Sequence, residues 1–262
     1  MLQRSMKKLL LLACLFSTPA LADCGTALPY GTPVIHGATG LCHQGYYTAY
    51  DPTFKLPRFV AWNLTADHAQ GCNGRAGQFA RDPMAAGRDV PPSAYAGSGY
   101  DKGHLADAND FNFDPAEETQ SFYMTNMTPQ APGLNRGPWK WVEQASRNWA
   151  VDENSIEIYA GPVVSMTDDT ISEYRVDVPK FFWKIVIDSS GKDAIAFLMP
   201  NEKFSSKLVP QTIVSIATIE QKVGFTIPVP AGVDKNKVGN LDDWYVDNGD
   251  FQDEKAKFCK LR

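Results

Sequence analysis

Hydrophobic positions follow two periods along this chain. Short stretches rich in β-branched and aromatic residues run from Arg58 to Thr65 (RFVAWNLT), Ser155 to Val164 (SIEIYAGPVV), Phe181 to Asp188 (FFWKIVID) and Asp193 to Met199 (DAIAFLM). Each predicts a strand, and Phe122 to Thr128 predicts a further one. Only Ser189-Ser190-Gly191-Lys192 separates the last two of the four, which is the length and chemistry of a hairpin connection. The longer period appears at Val142, Ala145 and Trp149, predicting a helix from Pro138 to about Asp152 with Pro138 in its first turn. Residues Gln211 to Val223 predict a second amphipathic helix that stops at Gly224. Strands joined by hairpins, with helices interspersed, define an α+β class with a largely antiparallel sheet.

Two segments lack either period. Residues 23–57, rich in Gly, Pro and Cys, read as an irregular arm, and residues 72–100 as a long loop. Loops of that length in a compact domain are uncommon and usually functional.

Composition narrows the class. With 44% hydrophobic and 21% charged residues, the chain can build a core and is not a disordered polymer. Its start has a basic region (Arg4, Lys7, Lys8), an apolar run from Leu9 to Phe16, and Ala20-Leu21-Ala22. That pattern predicts a signal peptide cleaved after Ala22, a periplasmic or secreted product, and a single domain over residues 23–262. The apolar run is too short to span a membrane, so no membrane partner is expected. Four cysteines remain, Cys24, Cys42, Cys72 and Cys259, which suggests two disulfides with the pairing open. Zinc is disfavoured, because no two of them form a C-x-x-C pair. Cleavage removes three cations and no acid, leaving 22 basic and 30 acidic residues, a net of −8. So acidic a chain argues against nucleic acid unless its cations are gathered on one face. Arg75, Arg81, Arg88, Lys102, Arg136, Lys140 and Arg147 are the ones expected to gather.

Of four histidines, His36, His43 and His68 have no convergent chemistry around them, whereas His104 closes Gly97-Ser98-Gly99-Tyr100-Asp101-Lys102-Gly103-His104. A second polar segment runs from Thr125 through Asn126, Pro129, Gln130 and Asn135 to Trp139 and leads into the helix carrying Glu143 and Arg147. Positions 135, 139, 143 and 147 step by four, so Asn135, Glu143 and Arg147 can share one side of a helix. Asn135 falls at the expected helix start, where unpaired amides and the dipole favour a phosphate.

Together these segments resemble the DNA/RNA non-specific endonuclease family of the ββα-metal superfamily. The family pattern is Asp-Arg-Gly-His, then Asn-x-x-Pro-Gln, a second Asn nine residues after the first, then Trp and Glu. This chain has Asp101-Lys102-Gly103-His104, Asn126-Met127-Thr128-Pro129-Gln130, Asn135, Trp139, Glu143 and Arg147, a match over about residues 94–150. The resemblance implies a ββα-metal nuclease fold with a mainly antiparallel sheet and flanking helices. It implies Mg2+-dependent hydrolysis of DNA and RNA, with Mn2+ as an alternative ion. His104 would be the general base, Asn135 the direct metal ligand, and Glu143 a ligand through water. Asn126 would brace His104 or its loop, and Lys102, Arg136 and Arg147 would meet substrate phosphate. Lys102 departs from the family arginine, exchanging a bidentate fork for a point charge. An upstream arginine of the family aligns with neither Arg75 nor Arg81 convincingly. The competing reading, favoured by the acidic charge and Lys102, is a catalytically weak, disulfide-stapled nucleic-acid-binding protein of the same fold.

Overall fold

The computed structural model describes residues 24, 27–244, 255–257 and 259–260. The expected signal segment, residues 1–22, lies outside them. The strands are β1 (Thr39–Cys42), β2 (Tyr47–Asp51), β3 (Leu56–Thr65), β4 (Asp101–His104), β5 (Met127–Gln130), β6 (Ser155–Val163), β7 (Thr170–Ile171), β8 (Val176–Asp177), β9 (Phe181–Ile187) and β10 (Ala194–Pro200). The α-helices described by name are α1 (Ala66–Ala69), α2 (Pro115–Ser121), α3 (Pro132–Leu134), α4 (Lys140–Asp152) and α5 (Ile216–Val223). Six strands form one sheet in the order β1-β2-β3-β6-β9-β10, and every pairing in it is antiparallel. The α+β class with an antiparallel sheet is therefore what the molecule has.

Both faces of this sheet are covered, which is why its strands are nearly continuous apolar runs rather than alternating ones. Val60, Trp62, Leu64, Ile156, Ile158, Phe182 and Val186 pack with Trp139, Val142, Ala145 and Trp149 of the helical segment ending in α4. The intervening residues Phe59, Ala61, Tyr159, Trp183 and Ile185 pack with Ile216, Ile219 and Val223 of α5 and with the arm through Ala27, Leu28, Tyr30 and Ile35. Each strand thus reads in period two, one row to each layer.

The disulfides are Cys24–Cys42, which fastens the arm to β1, and Cys72–Cys259, which ties the long loop to the C-terminal segment. That resolves the pairing left open by spacing alone. The long loop itself contains short 3₁₀ turns at Pro83–Ala85 and Pro92–Tyr95 and one β-bridge, from Ala80 to Tyr123.

Three element expectations need correction. Residues 23–57, expected to be an irregular arm, contain β1 and β2 of the central sheet and the start of β3, so only the part before Thr39 is irregular. The extended run expected from Phe122 to Thr128 begins only at Met127, because Met124–Asn126 is a 3₁₀ turn. Asn126 causes this: its amide nitrogen donates to the carbonyls of Ser121 and Ala106, at 2.8 and 2.9 Å, and folds the chain back. The helix expected from Gln211 begins at Ile216, where Ser215 Oγ accepts from Thr218 N–H as a cap. The residues before it, Ile213 and Val214, bridge to β10 instead.

Glu157 on β6 is a buried acid with one unpartnered oxygen, Oε2, while Oε1 accepts from Asn63 Nδ2 at 2.6 Å. Burial pushes its pKa up to about 8, against the Asn63 hydrogen bond that lowers it. A folded pKa above the unfolded one means that the group favours folding at low pH and that this advantage is lost as pH rises toward 8. Glu157→Gln is therefore expected to stabilise the protein at pH 8 by on the order of 2 kcal/mol and to change little at pH 4. Thermal melts of both proteins across that range check it.

Candidate active site

The site is assembled by β4, β5 and the helical segment that follows. β4 and β5 pair antiparallel with Asp101 opposite Gln130 and His104 opposite Met127. Gly103 has to be glycine, since a Cβ there would lie 2.2 Å from Gln130 Oε1 and 2.6 Å from its Cγ. After β5 the chain enters α3 at Pro132 and widens into a π-type turn over Asn135–Trp139, where Gly137 adopts the non-helical φ −125°, ψ −105°. It then continues as α4. The kink at Gly137 separates α3 from the helix that follows and leaves Pro138 in the first turn leading into α4, as expected. Asn135 lies before the kink and not at a free helix start, since its N–H donates to the Ala131 carbonyl at 3.0 Å. The expectation that unpaired amides at Asn135 receive a phosphate is corrected accordingly.

A cavity of about 570 Å³ opens above this unit, and His104, Asn135, Glu143, Arg147, Arg75, Arg136 and Lys140 are among its lining residues. An adjoining cleft of about 400 Å³ shares Arg75, His104, Asn135 and Arg136 and adds Lys102, Phe79 and Tyr100. His104 is held by aromatic rings, edge-on to Phe122 at 4.7 Å and near Phe79 at 5.6 Å. Its Nε2 is buried without a hydrogen bond, and its carbonyl accepts from Trp139 Nε1 at 3.3 Å. Burial lowers its pKa to about 4, with Asp107 opposing and Arg75 assisting, so the imidazole is neutral at pH 7. Asn126 lies beneath the loop after His104: its Oδ1 accepts from Ala106 N–H at 3.0 Å, and its backbone carbonyl accepts from Leu105 N–H.

Asn135 donates its Nδ2 to Asp101 at 2.9 Å, which leaves its Oδ1 as acceptor on the cavity side. The same Asp101 receives a two-pronged contact from Arg136, at 2.9 and 2.6 Å, so Arg136 stands at the rim with part of its fork engaged. Glu143 is buried at the cavity wall, and burial first, then Asp107, raises its pKa well above the ordinary carboxylate value. Arg147 is placed differently from expectation. It is buried, and its Nη1 donates to Asp107 and, at 2.8 Å, to Asp110, while Trp62 Nε1 donates to Asp110 at 3.0 Å. Two carboxylates hold Arg147 as part of the cavity floor rather than as a free fork for phosphate.

Lys102 does not line the larger cavity. Its ammonium lies over Phe79 at 5.0 Å and Tyr95 at 5.9 Å, in the adjoining cleft. Between the two upstream arginines the geometry chooses Arg75, whose guanidinium sits over Phe122 at 4.4 Å beside His104. Arg81 is tied to Asp89, and Arg88 to Ala85 and Thr39, away from both openings. Five of the seven cations expected together do gather, and these two do not. Asp107 and Asp110 were invisible to motif reasoning, since nothing in their spacing announces the pairing with Arg147. Lys184 is the other unforeseen charge, although a lysine inside FFWKIVID was a visible signal.

A ββα unit that brings an imidazole, an amide oxygen and a buried carboxylate to a cation-lined cavity defines a hydrolase acting on phosphodiester bonds. The chain belongs to the DNA/RNA non-specific endonuclease family, whose model matches residues 25–235. It is 28% identical to Nuclease C1 of Cunninghamella echinulata var. echinulata over 224 residues, 76% of this chain and 84% of that protein. It is 26% identical to mitochondrial endonuclease G of Homo sapiens over 216 residues, 76% of this chain and 72% of that protein. A chain of the crystal structure of the EndoG/EndoGI complex shares the fold, with a TM-score of 0.70 and 24% identity over 80% of this chain and 93% of that one. The molecule is thus a nuclease of ββα-metal fold.

Membership implies a divalent metal cofactor, and the donor set fits a hard cation. Among the residues lining the cavity, Asn135 offers an amide oxygen and Glu143 a buried carboxylate, while Asp107 is engaged by Arg147 and Glu118 by the Ala76 N–H. Among the described residues, no group of three or more His, Cys, Asp or Glu side chains is arranged to hold a metal. Such a site suits a hard divalent ion that keeps most of its water.

Proposed function

We propose that this chain is a Mg2+-dependent endonuclease that cuts DNA and RNA without sequence preference, with His104 as general base and Asn135 as the direct metal ligand. The observation that carries this reading is the convergence of a neutral imidazole and an oriented amide oxygen on one cavity. With Nε2 enclosed, Nδ1 is the ring atom left to accept a proton from a water in that cavity. Low basicity keeps His104 unprotonated and ready at neutral pH, and its aromatic frame fixes the ring. Asp101 holds Asn135 by its nitrogen, so the oxygen cannot turn away from the cavity. Glu143 would hold metal-bound water, as carboxylates behind a metal site commonly do. A bound Mg2+ supplies Lewis-acid stabilisation of the charge that develops on phosphate and leaving oxygen. Arg75 and Arg136 at the cavity and Lys102 in the cleft beside it supply the positive rim for neighbouring phosphates.

The phosphate role expected of Arg147 passes in this reading to Arg75, because Arg147 is engaged by two aspartates. The N-terminal pattern and the two disulfides support export, to the periplasm or beyond, of one nuclease domain spanning residues 23–262. Among the described residues, no helix is long and apolar enough to cross a membrane.

Plasmid DNA and a long RNA, each incubated with the protein with and without EDTA, test the proposal. Cleavage of both that EDTA abolishes and added Mg2+ restores is the expected result. Cleavage of neither polymer, or cleavage that persists in EDTA, overturns it.

A further inference from the structure

Lys184 stands in the middle of β9, the fifth strand of the central sheet, and is 1% exposed. Strand alternation puts it in the row of Phe182 and Val186, which packs under α4, while Trp183, Ile185 and Ile187 face the opposite layer. Its ammonium sits between two indoles, 4.6 Å from the centre of Trp139 and 5.4 Å from that of Trp62. Among the described residues, no carboxylate oxygen lies within 4.0 Å of it, so it is a buried cation held by ring faces rather than by an ion pair. A lysine in such a place is costly, and an apolar residue would fill the same space more favourably. Some requirement of the site has to account for it.

The charges of the cavity floor supply that requirement. Asp107, Asp110 and Glu143 are three buried carboxylates, and Arg147 is the cation that answers the first two. Glu143 follows Trp139 by four positions, so on a helical path it lies one turn above the indole that carries the Lys184 ammonium. Trp139 also donates its Nε1–H to the His104 carbonyl, so the ring under the ammonium is fixed to the site at its other edge.

We infer that Lys184 is a positioning residue of the active site: anchored on Trp139 and Trp62, it supplies the counter-charge that holds Glu143 as an oriented carboxylate at the cavity wall. Burial lowers the Lys184 pKa, and Glu143, ahead of Asp110 and Asp107, is the charge that opposes this. This inference rests on the role proposed for Glu143 and goes beyond it by assigning the charge behind that residue.

The experiment compares Lys184→Met and Lys184→Arg in the native and Glu143→Gln backgrounds, reading kcat and KM for plasmid cleavage and the melting temperature of each protein. Lys184→Met should lower kcat about 10–100-fold, the usual scale for groups behind a metal site, with KM within about twofold. In the Glu143→Gln background the same change should cost less than about twofold, because the carboxylate it serves is gone. Lys184→Arg keeps the charge and should retain kcat within about fivefold. A Lys184→Met enzyme with native kcat overturns the inference, as does a loss that is undiminished in the Glu143→Gln background. If Lys184→Met does not melt as a folded protein, Lys184→Gln replaces it. Failure of both neutral variants to fold, with a folded and active Lys184→Arg, also overturns it, since the role is then purely structural. Full activity of Glu143→Gln itself would instead refute the proposed role of Glu143, which keeps the two failures distinct.

Discussion

His104→Ala is expected to lower kcat by about 10²–10⁴-fold, the range that a positioned base contributes, while KM for polymer changes little. The two parameters separate because the cations of the rim, Arg75, Arg136 and Lys102, are untouched by the change. Folding should survive as well. The contact that ties this segment to the helix is made by the His104 carbonyl to Trp139, and Asn126 holds the loop through Ala106, so neither bond uses the imidazole. The lost ring leaves space beside Phe79 and Phe122, so a modest fall in melting temperature is expected alongside the kinetic loss. The pH profile carries a second signature. Burial holds the His104 pKa down to about 4, so the base form persists above that value. In the native enzyme the acid limb of kcat should therefore fall well below the pH 6.5 of an ordinary histidine. The remaining activity of His104→Ala should lack that limb. Steady-state kinetics from pH 4 to 8 decide the point, and an acid limb centred near pH 6.5 would show that the buried-imidazole account is wrong.

Asn135→Ala should be the other severe variant, costing roughly 10²–10³ in kcat at ordinary Mg2+ because the single direct protein ligand is removed. Its defect should differ in kind from that of His104→Ala. An ion that draws most of its ligands from water and substrate can still enter a site lacking one amide oxygen, at higher concentration. Raising Mg2+ should recover much of the activity of Asn135→Ala and none of that of His104→Ala. The substitution also releases Asp101 from the Asn135 amide, but the two contacts from Arg136 keep that carboxylate in place, so collapse of the rim is not expected. Calorimetric titration of the uncomplexed protein with Mg2+ gives an independent readout, with weaker binding by Asn135→Ala as the expected result.

What could be read from the sequence follows from which interactions are local. β3, β6, β9 and β10 were legible because each is a short run whose apolar residues meet a layer on both faces. The hairpin between β9 and β10 was legible from its four polar residues. The start of the α4 helix at Pro138 was legible too, whereas the short α3 turn and the kink at Gly137 before it were not, because periodicity carries no sign of them. The strand expected at Phe122 failed for a tertiary reason: Asn126 prefers the carbonyls of Ser121 and Ala106 to an extended ladder. In the site, His104, Asn135 and Glu143 were named through the motif resemblance and do line one cavity. Arg147 was named too, but its engagement by Asp107 and Asp110 depends on a loop about 40 residues earlier in the chain, and no local pattern encodes it. The choice of Arg75 over Arg81 was likewise decided in space, by the rings of Phe79 and Phe122 on one side and the pull of Asp89 on the other. The acidic total charge was a poor guide to partners because five cations of the loop and helix gather at two adjoining openings.

The central claim is that one neutral base and one amide-ligated cation together cut the phosphodiester. A Mg2+ titration of plasmid cleavage by the native enzyme, His104→Ala and Asn135→Ala tests it most directly. The expected result is no native activity in EDTA, saturation of the native enzyme at low Mg2+, recovery of Asn135→Ala only at much higher Mg2+, and no recovery of His104→Ala at any concentration. Native cleavage without divalent metal, or a His104→Ala enzyme that Mg2+ restores, would contradict it.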